Sequence, residues 1–272
     1  MACSFLYDNK IVSFGGTLSA TSTNPSYPVT NVKNYNAASP WRSVDSGAVY
    51  YLVHDFGSAT NVNITALANL NLSSSTIMKI QASTTSNFAV LNVDETIQTG
   101  SLNTSDRFNL YHKLAQAYVY RYWRLEIDDG GNPDGFYQVG EWFLGLHTTL
   151  TTGQQFEMPW TKQYPDTNVI HQTEYQQDYV YIRDLKALKI ISVEWRGVTS
   201  STKNSLKTMF LSTKGSGKPL FLCPDDSSVS TPEAFFVRII GDFEETQEKS
   251  SVFSARMTFR ELARGVTLPS VE

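Results

Sequence analysis

From Tyr122 to Gly145 the chain reads YWRLEIDDGGNPDGFYQVGEWFLG, two runs of apolar and aromatic residues around a turn of Asp, Gly, Asn and Pro. Runs this short on either side of a tight turn favour antiparallel strands over helices. Comparable runs lie upstream at 49–56, 62–70, 77–82 and 108–111, and a run at 118–127 leads into the turn. A short strand is expected at 10–13, and Gly15, Gly16, Pro25 and Pro28 then punctuate an extended segment. In the run at 49–56, Val49, Tyr51 and Val53 alternate with Tyr50, Leu52 and Phe56, so both faces carry apolar side chains. Such a strand is covered on both sides, and short strands separated by turn signals build a sandwich or jelly roll.

With 272 residues the chain is long enough for two domains, and the small polar stretch HTTLTTG at 147–153 marks the expected boundary. Residues 1–147 form one expected domain and 148–272 the other. Past the boundary, strands are expected at 180–182, 188–196, 219–223, 234–240 and 252–262. In the last of these Phe253, Ala255, Met257 and Phe259 alternate with Ser254, Arg256, Thr258 and Arg260, which separates a buried face from a wet one. One helix is expected at 201–213: Ser and Thr residues open it, Leu206, Met209 and Phe210 share a face, and Gly215 stops it. The fold class is all-β with a single helix.

Apolar residues make up 41% and charged residues 18%, the balance of a globular chain. A net charge of −4 gives no electrostatic footprint for nucleic acid. Most Lys and Arg residues lie from Arg183 onward, so the two halves are expected to meet different partners. Cys3 and Cys223 are too few and too far apart for a disulfide framework and read as reduced, buried thiols. The opening MACSFLYDNK lacks the basic and apolar regions of an export signal, and no apolar run is long enough to span a bilayer, so synthesis in a cytoplasm is expected. The sequons at Asn63, Asn71 and Asn103 follow from the abundance of Asn, Ser and Thr.

Five segments in order carry a resemblance to a known family: Tyr27-Pro28 with Ser39-Pro40-Trp41-Arg42-Ser43, Val53-His54-Asp55-Phe56-Gly57, Ile80-Gln81-Ala82-Ser83 through Phe88, the strand at 121–125, and the Glu-bearing strand at 140–143. Residues 15–146 resemble the discoidin-like, galactose-binding-like jelly roll. The resemblance implies loops at one end that bind glycans or lipid head groups. It also implies a structural calcium site at Asn34, Asn36, Ser39 and Glu141. Asn stands where the family has an acid in the early loop, and a hard cation wants carboxylate oxygens, so no metal is expected.

The ending at 137–145 is also similar to bacteriophage tail proteins carrying such a module. The strand, the helix and the segment Gly215-Ser216-Gly217-Lys218-Pro219-Leu220-Phe221-Leu222 resemble siphophage distal-tail and tail-tube-like proteins. That resemblance implies a virion tail-tip component: a homo-oligomeric ring, a hexamer, contacting tail tube, hub or fibre proteins, with the discoidin-like domain presented for docking or for a cell-surface glycan. A free carbohydrate-binding lectin is the alternative.

Tyr27, Tyr35, Phe136 and Tyr137 fall on or beside expected loops and suit stacking on a sugar ring. Arg183, Lys203 and Lys207 on one side and Glu244, Glu245 and Glu248 on the other are candidates for a contact that repeats around a ring. Trp160, Tyr164 and the aromatic run from Tyr175 to Tyr181 are candidates for an apolar surface covered on assembly. KGSGKP at 214–219 follows a helix instead of preceding one, so its amides are not expected to converge on a phosphate. Asp128, Asp129, Asn132 and Asp134 cluster in a turn and read as turn formers before they read as calcium ligands. His54, His112, His147 and His171 are scattered without metal-ligand spacing, and no nucleophile motif is present. The expectation is a binding protein that is not an enzyme and has no cofactor.

Overall fold

The computed structural model describes residues 2–100, 102, 109–151, 158–165, 169–172, 178–181, 188–226 and 233–262. Their contacts divide the chain into two compact units, Met1–Thr151 with Lys218–Phe236, and Thr152–Gly217 with Val237–Glu272. The segment Lys218–Phe236, which the sequence division puts after the boundary, therefore packs with the first unit.

In chain order the first unit contains β1 (Ala2–Leu6), α1 (Lys10–Ser13), β2 (Thr17–Ala20), β3 (Trp41–Arg42), β4 (Tyr50–Ala68), β5 (Ile77–Ser83), β6 (Val93–Thr99), β7 (Asn109–Asp128), β8 (Gln138–Val139), β9 (Glu141–Gly145) and β10 (Thr148–Thr151). The second holds β11 (Trp160–Gln163), β12 (Val169–Gln172), β13 (Asp178–Tyr181), β14 (Ile190–Thr199) and α2 (Ser200–Ser212). β15 (Leu220–Cys223) belongs to the first unit, β16 (Phe235–Lys249) begins there and continues into the second, and β17 (Val252–Glu261) lies in the second. The all-β class is as expected, and the first unit is the expected β-sandwich.

Its main sheet runs β2-β4-β7-β5-β6, with β9 also paired to β4. β3 and β8 form a separate two-residue ladder, while β10 and β15 flank β1. Trp41, Trp123 and Trp142 are fully buried among Leu52, Val62, Ile80, Leu125 and Ile127. Large side chains buried this completely contribute about 1.5–3 kcal/mol each. Cys3 and Cys223 are free and buried, and burial pushes the Cys223 thiol up to about 12.

Four strand expectations change. The runs at 49–56 and 62–70 are one strand, because the register shift between Asp55 and Thr60 absorbs Gly57, at φ 76, without ending the pairing. The runs at 108–111 and 118–127 likewise merge into β7. Residues 10–13 form a helical turn instead of a strand. Asn9 caps it by accepting from the Ile11 N–H at 3.2 Å, and Ile11 alone of the apolar pair is fully buried. The first half of β4 is also covered on one side only: Leu52, His54 and Phe56 are buried, whereas Tyr51, Val53 and Asp55 are half-buried.

In the second unit β14 pairs with β11 and β17, and β17 with β16. Ala255, Met257 and Phe259 are buried while Arg256 and Arg260 are exposed, as the alternation predicts, whereas Phe253, Ser254 and Thr258 are all half-buried. Thr199 caps α2 by accepting from Thr202 N–H, and Leu206 and Met209 form its buried face. No described helix is long and apolar enough to cross a membrane.

Candidate functional site: an arginine held between two rings

Strand β3 is two residues long, and alternation sends Trp41 into the core and Arg42 outward. Asn24 N–H donates to Arg42 O at 2.9 Å and Arg42 N–H to Tyr27 O at 3.3 Å, so the loop lies along β3 and brings Tyr27 to Arg42. From the other side, Arg42 pairs with Gln138 across the β3–β8 ladder, and paired residues share a face. Arg42 Nε donates to Gln138 Oε1 at 3.0 Å. The guanidinium centre lies 4.2 Å from the Tyr27 ring centroid and 4.5 Å from the Phe136 ring centroid, within cation–π range of both. Tyr27, Arg42 and Phe136 are each half-buried.

A network of side chains braces this clamp. Asn71 accepts from Gln138 N–H at 2.7 Å and donates to Phe136 O at 2.9 Å and to Asp134 Oδ2 at 3.0 Å. Asn132 donates to Asn71 O at 2.6 Å and to Asp129 Oδ2 at 2.8 Å. Asp129 is fully buried and also accepts from the Ser73 N–H and hydroxyl. Burial alone would raise its carboxyl; the donors from Ser73, Thr76 and Asn132 outweigh that and hold it below the ordinary carboxylate range. The acidic turn thus acts as a scaffold under Phe136 and Gln138. Asp128 is half-buried at its edge.

Of the four aromatic candidates, Tyr27 and Phe136 meet around Arg42. Tyr35 packs instead on Phe143, ring centroids 6.1 Å apart, in a left-handed conformation at φ 62. Burial, then the nearby charges of Glu141 and Asp8, push its hydroxyl up to about 12. Tyr137 is 1% exposed, and its hydroxyl accepts from Asp129 N–H and donates toward Ser46 O and Ala48 O, so it offers no face to a ligand and is corrected to a core residue. Arg42 and Gln138 were not candidates. Their signal is the alternation around Trp41, which sends Arg42 outward, and the pairing of β3 with β8, which cannot be read from either segment alone.

At the calcium candidates, Asn34 Oδ1 accepts from Asn36 N–H at 2.7 Å and Asn36 Oδ1 from Ala38 N–H at 3.3 Å. These oxygens therefore turn the backbone of their own loop. Ser39 is half-buried and its N–H donates to Asn36 O, while Glu141 is fully buried. No group of three His, Cys, Asp or Glu side chains is disposed to hold a metal among the described residues.

In the second unit, Lys203 Nζ lies 3.7 Å from Glu245 Oε1 and 4.5 Å from the Phe253 ring centroid, so two interface candidates pair within one chain. Lys207, Glu244 and Glu248 are exposed, and Arg183 and Tyr175 lie outside the described residues. Trp160 is half-buried and Tyr164 is 56% exposed. In KGSGKP, Gly215 N–H donates to Phe210 O and Gly217 N–H to Lys214 O, so these amides close the end of α2. His112 approaches Glu95 at 3.4 Å, His147 contacts Asn63 at 3.1 Å, and His54 is buried against Phe56.

No family profile matches the chain, and no curated protein matches it. Solved structures similar to it include a chitosan-binding module of a chitosanase/glucanase from Paenibacillus sp. IK-5, at 19% identity and TM-score 0.41, covering 51% of this chain and 98% of that one. The lectin domain of lectinolysin complexed with Lewis B antigen is 15% identical at TM-score 0.40, covering 51% and 96%. A fucose-binding module from Streptococcus pneumoniae is 12% identical at TM-score 0.39, covering 51% and 98%.

Proposed function

We propose that the first unit is a glycan-binding module and that Tyr27, Arg42 and Phe136 form its binding surface. The observation that carries this is two half-buried rings fixed around a guanidinium whose own orientation is set by Gln138. Sugar recognition needs apolar CH faces to meet aromatic surface while a few fixed polar groups read the hydroxyls. The clamp supplies both at one place, and its bracing removes ordering cost from the bound state. Binding rather than turnover is the proposed activity. A glycan array on the full chain tests it: Tyr27→Ala and Phe136→Ala should each weaken the strongest signals about tenfold or more. Undiminished signals in both variants would sink the assignment.

The setting we propose is a structural component of a long-tailed phage tail tip, with the second unit forming an oligomeric ring. Its support is the sequence pattern of strand and helix that follows the first domain, present in the second unit as β14 and α2. A free lectin-like module fits the Arg42 clamp equally well. Light scattering over a concentration series separates them: a shift to a closed multiple supports the ring, and a monomer at every concentration supports the free lectin.

A further inference from the structure

Resting on the glycan-binding reading, we infer that the Arg42 clamp selects acidic sugars and takes the carboxylate of a uronic or sialic acid on its terminal guanidinium nitrogens. Two other arginines of the chain are spent on acids. Arg121 makes a two-point contact with Asp55, at 2.7 and 2.9 Å, and Arg196 makes one with Glu194, at 2.9 and 2.8 Å. Arg42 has the Tyr27 and Phe136 rings beside it and its Nε on Gln138. Among the described residues no carboxylate lies within ion-pair distance of it, and no acceptor meets its terminal nitrogens.

The two rings lie within cation–π range of the cation and shield it in part from water, and Gln138 holds its Nε. What remains to be satisfied is the in-plane fork of the two terminal nitrogens. A planar carboxylate matches that fork with two parallel N–H···O bonds, each charge-assisted and about twice as strong as a bond from a neutral acceptor. A hydroxyl offers one oxygen and no charge. The chain carries a net charge of −4, so attraction of an anion here is a property of this site and not of a general positive field. Arg42 lies between the rings that would carry the sugar's apolar face, so one ligand residue reaches both.

The test uses the full chain on an array of glycans ending in galacturonate, glucuronate or sialic acid, each beside its methyl-esterified counterpart and a neutral analogue, with the strongest ligands followed by calorimetry. The expected result is that esterification weakens binding at least tenfold, and that Arg42→Gln removes this discrimination. Arg42→Lys, which keeps the charge and loses the fork, should recover only part of it, while Arg124→Gln serves as the control and leaves it intact. Equal binding of acid and ester forms, still dependent on Tyr27 and Phe136, would overturn the acidic-sugar inference and leave the glycan reading standing. Binding to no glycan of any class would overturn both, and so would Arg42-dependent binding to phosphatidylserine vesicles without glycan binding. Thermal unfolding of each variant accompanies the titrations, and Arg42→Lys carries the comparison if Arg42→Gln unfolds.

Discussion

Arg42 and Arg124 each lie between two aromatic rings, and each donates Nε to a glutamine directly across an antiparallel pair. For Arg42 the rings are Tyr27 and Phe136, at 4.2 and 4.5 Å, and the glutamine is Gln138. For Arg124 they are Tyr51 and Phe88, at 4.3 and 4.4 Å, and the glutamine is Gln81. The difference lies one bond further out. Gln81 donates to Asp94 at 2.8 Å and to Glu126 at 3.1 Å, so the cation on the sheet is tied to two acids through its glutamine. Gln138 donates to the Asn69 carbonyl at 3.4 Å, and among the described residues no acid closes the circuit. The same device therefore serves as a cross-strand tie to two acids in the middle of β7 and stands apart from acids on a two-residue strand at the loops.

The two clamps rest on different supports, and the largest expected effects come from removing those. Behind the open clamp, Gly140 follows β8 so closely packed that an added Cβ would meet Ala37 O and the Asn69 Cβ at 2.7 Å and Ala68 O at 2.9 Å. Two of these neighbours are backbone and cannot swing aside. Gly140→Ala should cost about 3 kcal/mol in urea unfolding, the upper range for overpacking, and should weaken the Arg42 site with it. A loss below about 1 kcal/mol would mean that β8 is not the rigid support described.

Behind the closed clamp the support is titratable. His54 is buried on the face of β4 opposite Tyr51, and burial first, then the charge of Lys33, lowers its pKa to about 4. The neutral ring is favoured in the fold, so its stabilisation is complete above the unfolded pKa near 6.5 and is lost as pH falls to about 4. The span corresponds to about 3 kcal/mol. His147 is lowered by the same cause, burial, and adds in the same direction. Asp55 and Asp129, held below the carboxylate range, lose their contribution only at lower pH. His54→Phe should flatten the stability profile between pH 6.5 and 4 to the share left by His147. An unchanged slope in that variant would remove His54 as the cause.

Charge balance predicts the next difference. Arg124→Met removes the cation from beside Gln81 and leaves Asp94 and Glu126 sharing a donor without it, and should cost about 2 kcal/mol. Arg42→Met removes similar stacking but strands no acid, and should cost about 1 kcal/mol. Equal losses in chemical denaturation would mean that the surrounding acids do not distinguish the two clamps.

The sandwich was legible because alternation and turn residues are local signals. Trp41, Trp123 and Trp142 stand in runs whose period fixes which side chains turn inward. Tyr27 and Phe136 could be nominated because each sits beside a proline- or glycine-bearing turn. Arg42 and Gln138 could not, since the pair exists only through a ladder joining segments 96 residues apart. Residues 10–13 misled for a similar reason: three apolar-compatible residues suit a strand, and the Asn9 side chain decides for a helical turn. Tyr137 shows the opposite limit, since its position in a turn says nothing of the three backbone groups its hydroxyl meets inside.

The smallest expected effect isolates the glutamines themselves. Gln138→Ala leaves both rings on Arg42 but frees rotation about its terminal bonds, so the fork must be ordered when a ligand arrives. Ordering one such side chain costs about 0.5–1 kcal/mol, a two- to fivefold weakening of an acidic glycan, with little change in unfolding. Gln81→Ala removes the acceptor of Arg124 and the donor to both acids, so its effect should fall on stability and leave ligand affinity untouched. Calorimetry and urea unfolding of the two variants should therefore give opposite patterns. If Gln81→Ala weakens the ligand as much as Gln138→Ala does, the sheet clamp is part of the binding surface and the division between tie and fork fails.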